Sequence, residues 1–301
     1  MSGRETIIEA NGLRFACLEA GRTEHPLVVC LHGFPDDART FDGLIPGLVE
    51  SGYRVVAPFT RGYAPTSIPA NGDYSVQALA SDVLAILDRL DRKSAFLIGH
   101  DWGAITGYVA ANLAPERING LIALAIPHPG ALRFSVGQLS ASDQFLLLPW
   151  GGLSEWFARR DDFAYVARLV RRWSPTWSTA GRDEQIARMR AKFGEPGRLA
   201  AAIGYYRSFR RDLLQPRRVA LYRAPTSVPT LTIYGQEDGA TQVSAFARTA
   251  TSFTGPYHLQ GIPGVGHFVH RESPDLVARL IGNFLADPAG FQATPSTKEI
   301  L

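Results

Sequence analysis

In its first 126 residues the chain alternates strand-like apolar runs with amphipathic stretches, and this alternation restricts the fold more than any other feature. Leu13–Leu18, Leu27–Leu31, Tyr53–Ala57, Ala95–Ile98 and Leu121–Ile126 read as strands, with helical spacing over Phe41–Ser51, Val76–Leu90 and Ala104–Leu113. Strand–helix–strand repetition predicts a parallel sheet covered on both faces, so the fold class is α/β. From about Gly130 to Pro225 the pattern is helical only and rich in Trp, Phe and Arg. Pro229–Tyr234 restores a strand, a short strand at Tyr257–Leu259 follows, and Leu276–Leu285 closes the pattern as an amphipathic helix. The expected division is a core of residues 1–129 and 226–287, a helical insertion over 130–225 and a fraying tail over 288–301.

In a parallel sheet, the carboxyl ends of the strands face one crevice, so reactive side chains are sought there. The sequence places HGFP at 32–35, GHDWG at 99–103, GQED at 235–238 and GVGHF at 264–268 after strand-like runs. GHDWG has the glycine spacing of a sharp strand-to-helix turn, which leaves no room for side chains beside the residue at its tip. That residue is Asp101. The helix opening at Trp102 turns its positive end toward it, which favours a carboxylate and then an oxyanion. The backbone N–H groups of Trp102 and Phe34 are the expected oxyanion donors. Asp101, Asp238 and His267 follow the chain order nucleophile, acid, histidine of hydrolases built on such a turn. Each also has a plainer reading: Asp101 as a helix N-cap, Asp238 as a loop cap, His267 as a satisfied turn histidine.

A carboxylate is already ionised at pH 7 and attacks a saturated carbon without first losing a proton. The histidine is then free to activate water against the resulting ester, with Asp238 fixing its tautomer. This pattern predicts an alcohol product from an electrophilic carbon.

Composition narrows the classes without choosing one. Two cysteines lacking CxxC spacing read as buried thiols of a reducing compartment, and no targeting segment or apolar run of about 18 residues suggests export or a membrane span. A cytoplasmic protein without membrane or nucleic-acid partners is expected. Residues 130–225 hold 16 arginines and one lysine against 8 acids, a surplus of +9, which leaves −6 on the remainder. At helical intervals among aromatics, these arginines read as a solvated face, and a preference for acidic substrates or partners stays open. The remaining histidines show no metal-ligand spacing, so no metal and no cofactor is expected.

HGFP, RGYAP at 61–65, GHDWG, Asp238 after GQE, and GHFVHRESP at 266–274 together resemble the epoxide hydrolases of the α/β-hydrolase superfamily. The resemblance implies an eight-stranded, mostly parallel sheet with a helical cap inserted after the sixth strand. It implies Asp101 as nucleophile, Asp238 and His267 as the relay pair, and Phe34 and Trp102 as oxyanion-hole donors and substrate contacts. Such enzymes protonate the epoxide oxygen from cap tyrosines, because a phenol of pKa ~10 stays protonated at pH 7 yet donates strongly. GYYR at 204–207 carries that role, and substrate contact, onto Tyr206, with a packed aromatic as the alternative. The other cap tyrosine of the family would fall at Ser142, and Tyr165 is the closest later candidate. The implied partner is a small apolar or amphipathic epoxide, with a homodimer as candidate assembly.

The rivals are a haloalkane dehalogenase, its halide held by Trp102 and one of Trp150, Trp156, Trp173 or Trp177, and a ligand-binding relative without turnover. Trp102 stands where fluoroacetate dehalogenases carry Arg. The absence of Gly-x-Ser-x-Gly disfavours an ester hydrolase.

Overall fold

The computed structural model describes residues 3–131 and 142–292, so the last nine positions of the expected tail and the first stretch of the expected insertion lie outside the described residues. Eight strands form one sheet: β1 (Arg4–Ala10), β2 (Leu13–Ala20), β3 (Leu27–Leu31), β4 (Arg54–Pro58), β5 (Ala95–His100), β6 (Ile118–Leu124), β7 (Thr230–Gly235) and β8 (Tyr257–Ile262). Their order is β1-β2-β4-β3-β5-β6-β7-β8. The pairs β1–β2 and β2–β4 are antiparallel, and every later pair is parallel.

The period-two geometry of a strand divides the core. Leu27, Val29 and Leu31 of β3 face one side with α2 (Val76–Arg89) and α3 (Trp102–Leu113). Val28 and Cys30 face the other, with α1 (Ile45–Glu50) and a C-terminal helix over Pro274–Ala286. Strands buried on both faces must be apolar at every position, which is why the central runs read without alternation. Cys17 and Cys30 are free and buried, and burial pushes the Cys17 thiol up to about 12 and Cys30 higher still, so both are inert apolar filling.

β1 is absent from the sequence-based expectation. Its residues RETIIEA bury fully only Ile8, so the sequence shows little apolar signal, and the ladder to β2 supplies the order. The helix expected over Phe41–Ser51 is also divided. A 3₁₀ turn covers Ala38–Phe41, and α1 starts only at Ile45, next to Pro46, a residue suited to a helix's first turn. α2 matches its expectation, with the Ser75 side chain accepting from the Ala78 N–H and apolar residues at helical spacing.

Between β6 and β7 the described chain is helical: α4 (Gln144–Leu147), α5 (Gly152–Trp173), α6 (Thr179–Gly194), α7 (Arg198–Asp212) and α8 (Pro216–Arg223). α5 is interrupted by non-helical backbone at Arg160–Phe163. Polar bonds fix this helical segment to the sheet side. The Tyr205 hydroxyl donates to the Arg61 carbonyl at 2.9 Å, and Arg198 donates to the carbonyls of Gly62 and Thr66. After β7 come α9 (Val243–Ala247), then β8, α10 (Val269–Glu272) and α11 (Pro274–Ala286).

The loop from Arg61 to Pro65 is anchored by a buried fork. Arg61 Nε and Nη2 donate to the two oxygens of Asp82 at 2.6 and 2.5 Å, and Nη1 donates to the Asp73 carbonyl. With both side chains under a tenth exposed, removing one leaves the other charge buried and unpaired. Asp82→Ala should therefore cost about 3–5 kcal/mol in urea unfolding; a loss below about 1 kcal/mol would mean that the Arg61 loop does not depend on this pair.

Candidate active site

Asp101 stands between β5 and α3 with φ 51° and ψ −118°, a conformation that side chains rarely adopt. Steric contact forces the neighbours to be glycine. A Cβ on Gly99 would meet the Gly103 carbonyl oxygen at 2.3 Å, and one on Gly103 would meet that of Leu31 at 1.9 Å. Asp101 makes no side-chain cap bond to α3, so the N-cap alternative falls away. Its Oδ1 instead accepts from the Phe34 N–H at 2.8 Å. Trp102 opens α3, and the first N–H groups of a helix have no intrahelical acceptor. The Phe34 N–H is therefore already directed at the carboxylate, and the Trp102 N–H begins the adjoining helix.

The loops after β7 and β8 bring the other two residues to the same place. His267 Nδ1 donates to Asp238 Oδ2 at 2.9 Å, and His267 Nε2 lies 3.7 Å from Asp101 Oδ2. Asp238 Oδ1 accepts from the N–H groups of Ala240 and Thr241 at 2.7 and 3.2 Å, so this aspartate caps its loop and holds the histidine with different oxygens. The side chains of Asp238 and His267 are fully buried. Nε2 of His267 has no hydrogen-bond partner among the described residues, which leaves it directed at the carboxylate across a gap longer than a hydrogen bond.

Burial alone would lower the pKa of the His267 imidazole. The facing carboxylates of Asp238 and Asp101 outweigh it and push the ring up to about 10. His100, next to Asp101 in the chain, is instead lowered to about 4, because burial and the neighbouring His267 outweigh the charges of Asp101 and Asp36.

The sequence did not reveal what holds the histidine loop. The Trp173 carbonyl at the end of α5 accepts from both the His267 and Gly239 N–H groups, at 3.0 and 3.2 Å. Ser174 Oγ accepts from His267 N–H at 2.9 Å and donates to Glu272 Oε1 at 2.6 Å. Glu272 also accepts from the N–H groups of Gly266 and Phe268. Glu272 lies inside GHFVHRESP and was visible as part of that motif; Ser174 carried no signal at all.

Tyr206 is buried edge-on to Phe34, Trp102 and Phe145, with ring centroids 5.2–5.3 Å apart. Burial, with the charge of Asp101, raises the pKa of its hydroxyl well above 10. The hydroxyl of its neighbour Tyr205 is bonded to Arg61 and Thr60.

Ser142 donates to the Ala240 carbonyl at 2.8 Å. The residue of that segment packed against Trp102 and Tyr206 is Phe145, which carries no hydroxyl. Tyr165 donates to Asp143 Oδ1 at 3.2 Å. A different phenol lies close. Tyr63 of RGYAP is buried, its hydroxyl has no partner among the described residues, and burial together with Tyr205, Tyr206 and Asp101 raises its pKa well above 10. Of the four cap tryptophans considered, Trp173 has a buried indole N–H without a partner among the described residues, 5.1 Å ring to ring from His267. Trp150 and Trp156 are exposed, beneath Arg210 and Arg160 respectively, and Trp177 packs at a tilt against Phe268.

Comparison with known proteins identifies the family. Residues 26–274 match the family described as the alpha/beta hydrolase fold. The chain is 30% identical to "Epoxide hydrolase 4" of Homo sapiens over 93% of its own length and 78% of that protein's. It is 27% identical to "Epoxide hydrolase A" of Mycobacterium tuberculosis, over 93% of this chain and 97% of that one. The crystal structure of Epoxide Hydrolase A from Mycobacterium thermoresistibile superposes with a TM-score of 0.78 at 26% identity, over 95% of this chain and 98% of that one. No helix among the described residues is long and apolar enough to cross a membrane. The chain belongs to the alpha/beta hydrolase fold family, stands among its epoxide hydrolase relatives, and is a hydrolase.

Proposed function

We propose that this hydrolase opens epoxides to vicinal diols through a covalent ester on Asp101. The observation that carries the reading is the pairing of Asp101 at the turn tip with an unpartnered His267 Nε2 facing its Oδ2 at 3.7 Å. Oδ1 is held by the Phe34 N–H, so Oδ2 is the oxygen that attacks the ring carbon. The epoxide C–O bond breaks, and its oxygen takes the proton of Tyr206. The aromatic surroundings of Phe34, Trp102, Phe145 and Tyr206 suit an apolar or amphipathic substrate, and relatives named epoxide hydrolase support the class. In this reading residues 130–225 form a cap over the core of 1–129 and 226–287.

Alkylation also changes the electrostatics of the histidine. One of the two carboxylates that hold the His267 proton becomes a neutral ester, so its pKa falls. The proton passes to the Tyr206 phenolate, and the neutral imidazole can then draw a proton from water. The resulting hydroxide adds to the Asp101 carbonyl carbon, with the Phe34 and Trp102 N–H groups receiving the charge on Oδ1. Collapse breaks the bond between that carbon and the alkyl oxygen, which takes a proton from the His267 imidazolium and leaves as the diol; His267 recovers its proton from the added hydroxyl, and an oxygen from water stays in the Asp101 carboxylate.

The buried Trp173 indole N–H, without a partner among the described residues, favours a second reading, in which it joins the Trp102 indole to hold a halide. Styrene oxide and 1-chlorobutane separate the two. Diol without chloride is the expected result, and chloride without diol would establish the dehalogenase.

Three variants test the assignment of roles. His267→Gln should form the ester and stall, so an adduct on Asp101 should accumulate in intact mass spectra; rapid turnover by that variant would remove His267 from the second step. Tyr206→Phe should slow ring opening by roughly 10²–10⁴, the contribution of a lost general acid, and a negligible change would leave it a packing residue. In Asp101→Asn, which mimics the neutral ester, the His267 imidazole should titrate at lower pH than in the native enzyme by ¹⁵N NMR. An anion favours the imidazolium, so removing one lowers the pKa; an unchanged titration would sever the coupling on which the two-step scheme rests.

A further inference from the structure

A second group of titratable side chains lies behind His267 and has no part in the scheme above. Asp36 follows HGFP, His100 ends β5, and His270 sits on α10. They are 5%, 0% and 2% exposed. Each has one polar atom committed: Asp36 Oδ1 accepts from the Asp37 N–H at 2.9 Å, His100 Nε2 pairs with the His267 carbonyl at 3.1 Å, and His270 Nε2 pairs with Thr40 Oγ1 at 2.6 Å. Each has one atom left over. Asp36 Oδ2, His100 Nδ1 and His270 Nδ1 have no hydrogen-bond partner among the described residues. The three side chains can each offer a ligand atom within 4.8 Å of the other two.

The chemistry of those atoms restricts what can satisfy them. A carbonyl oxygen only accepts, so His100 carries its proton on Nε2 and presents a lone pair at Nδ1. A carboxylate oxygen presents lone pairs only. His270 does the same at Nδ1 when its Nε2–H donates to Thr40. In that tautomer of His270 the three leftover atoms carry only lone pairs; buried polar atoms without partners are costly, and a cation relieves such a set. The guanidinium of Arg188 approaches the other carboxylate oxygen, Oδ1, at 3.8 Å, and does not fill the position between the three.

We propose that Asp36, His100 and His270 form a binding site for one divalent transition-metal ion of the zinc type. Two imidazole nitrogens and one carboxylate oxygen suit that class over calcium or magnesium, which take oxygen ligands. Metal–ligand distances of about 2.0–2.2 Å require the three atoms to draw in to roughly 3.4 Å from one another, a contraction of about an ångström or less per side chain. The committed atoms supply the outer shell such sites use: the His267 carbonyl fixes the His100 ring, and the Thr40 hydroxyl fixes His270. A fourth position is left for water. Sequence spacing gave no sign of the site because its ligands come from three separated segments, at 36, 100 and 270.

The test uses the full chain after treatment with chelator. Titration with Co²⁺ should produce the visible bands of a four-coordinate ion, and Zn²⁺ should bind with one equivalent by calorimetry. Asp36→Asn and His270→Gln, checked for native circular dichroism, should weaken both by roughly 100-fold or more, above the range for loss of an outer-shell partner. No saturable binding would mean that a buried water bridges the three atoms, and the proposal would be wrong. Binding that both variants leave unchanged would place the ion elsewhere and overturn it equally. Should the variants fail to fold, diffraction from zinc-soaked native crystals at the zinc edge decides the matter: an anomalous peak between the three side chains is expected, and its absence there is refutation.

Discussion

The first turn of α3 lies so close against the end of β3 that the Leu31 carbonyl leaves no room for a Cβ at Gly103. This contact holds the strand-to-helix turn in its strained form and presents the Asp101 side chain to the crevice. It also brings the loop after β3 alongside, so the Phe34 N–H reaches Oδ1. Relax that approach and the carboxylate loses both its direction and the donor that distinguishes its two oxygens.

The histidine is positioned by a different logic. His267 and Asp238 lie on separate loops, and each loop is tied to the same backbone carbonyl, that of Trp173 at the end of the long helix between β6 and β7. Ser174 and Glu272 satisfy the remaining N–H groups of the histidine loop. The helical segment thus does more than cover the sheet, since its last turn sets the distance between acid and histidine. Polar groups buried this deeply are stabilising only when every partner is present, so the loop geometry and the segment's docking should be lost together.

Much of this was legible in the chain. The strand–helix alternation defined the sheet, and the spacing of glycines around Asp101 foretold the turn, because both follow from local backbone geometry and steric exclusion. The two tyrosines of GYYR have different surroundings: Tyr205 fastens to Arg61, and Tyr206 packs against Phe34, Trp102 and Phe145. β1 was not legible, since an edge strand with one fully buried side chain leaves almost no hydrophobic pattern. The serine where the family's other cap tyrosine would fall offers no phenol. Helical packing sets Phe145 against Trp102 and Tyr206 and sends Ser142 to the Ala240 carbonyl, while the buried Tyr63 hydroxyl has no partner among the described residues.

By itself the sequence determined the parallel sheet and the turn that displays a carboxylate, because each is written in residues close together or in a period the backbone imposes. Only the tertiary structure decided which oxygen of Asp101 faces His267, how far the histidine is charged, and that Asp36, His100 and His270 meet. Those properties depend on distances between segments far apart in the chain and on the exclusion of water around them, and neither quantity exists until the core has closed.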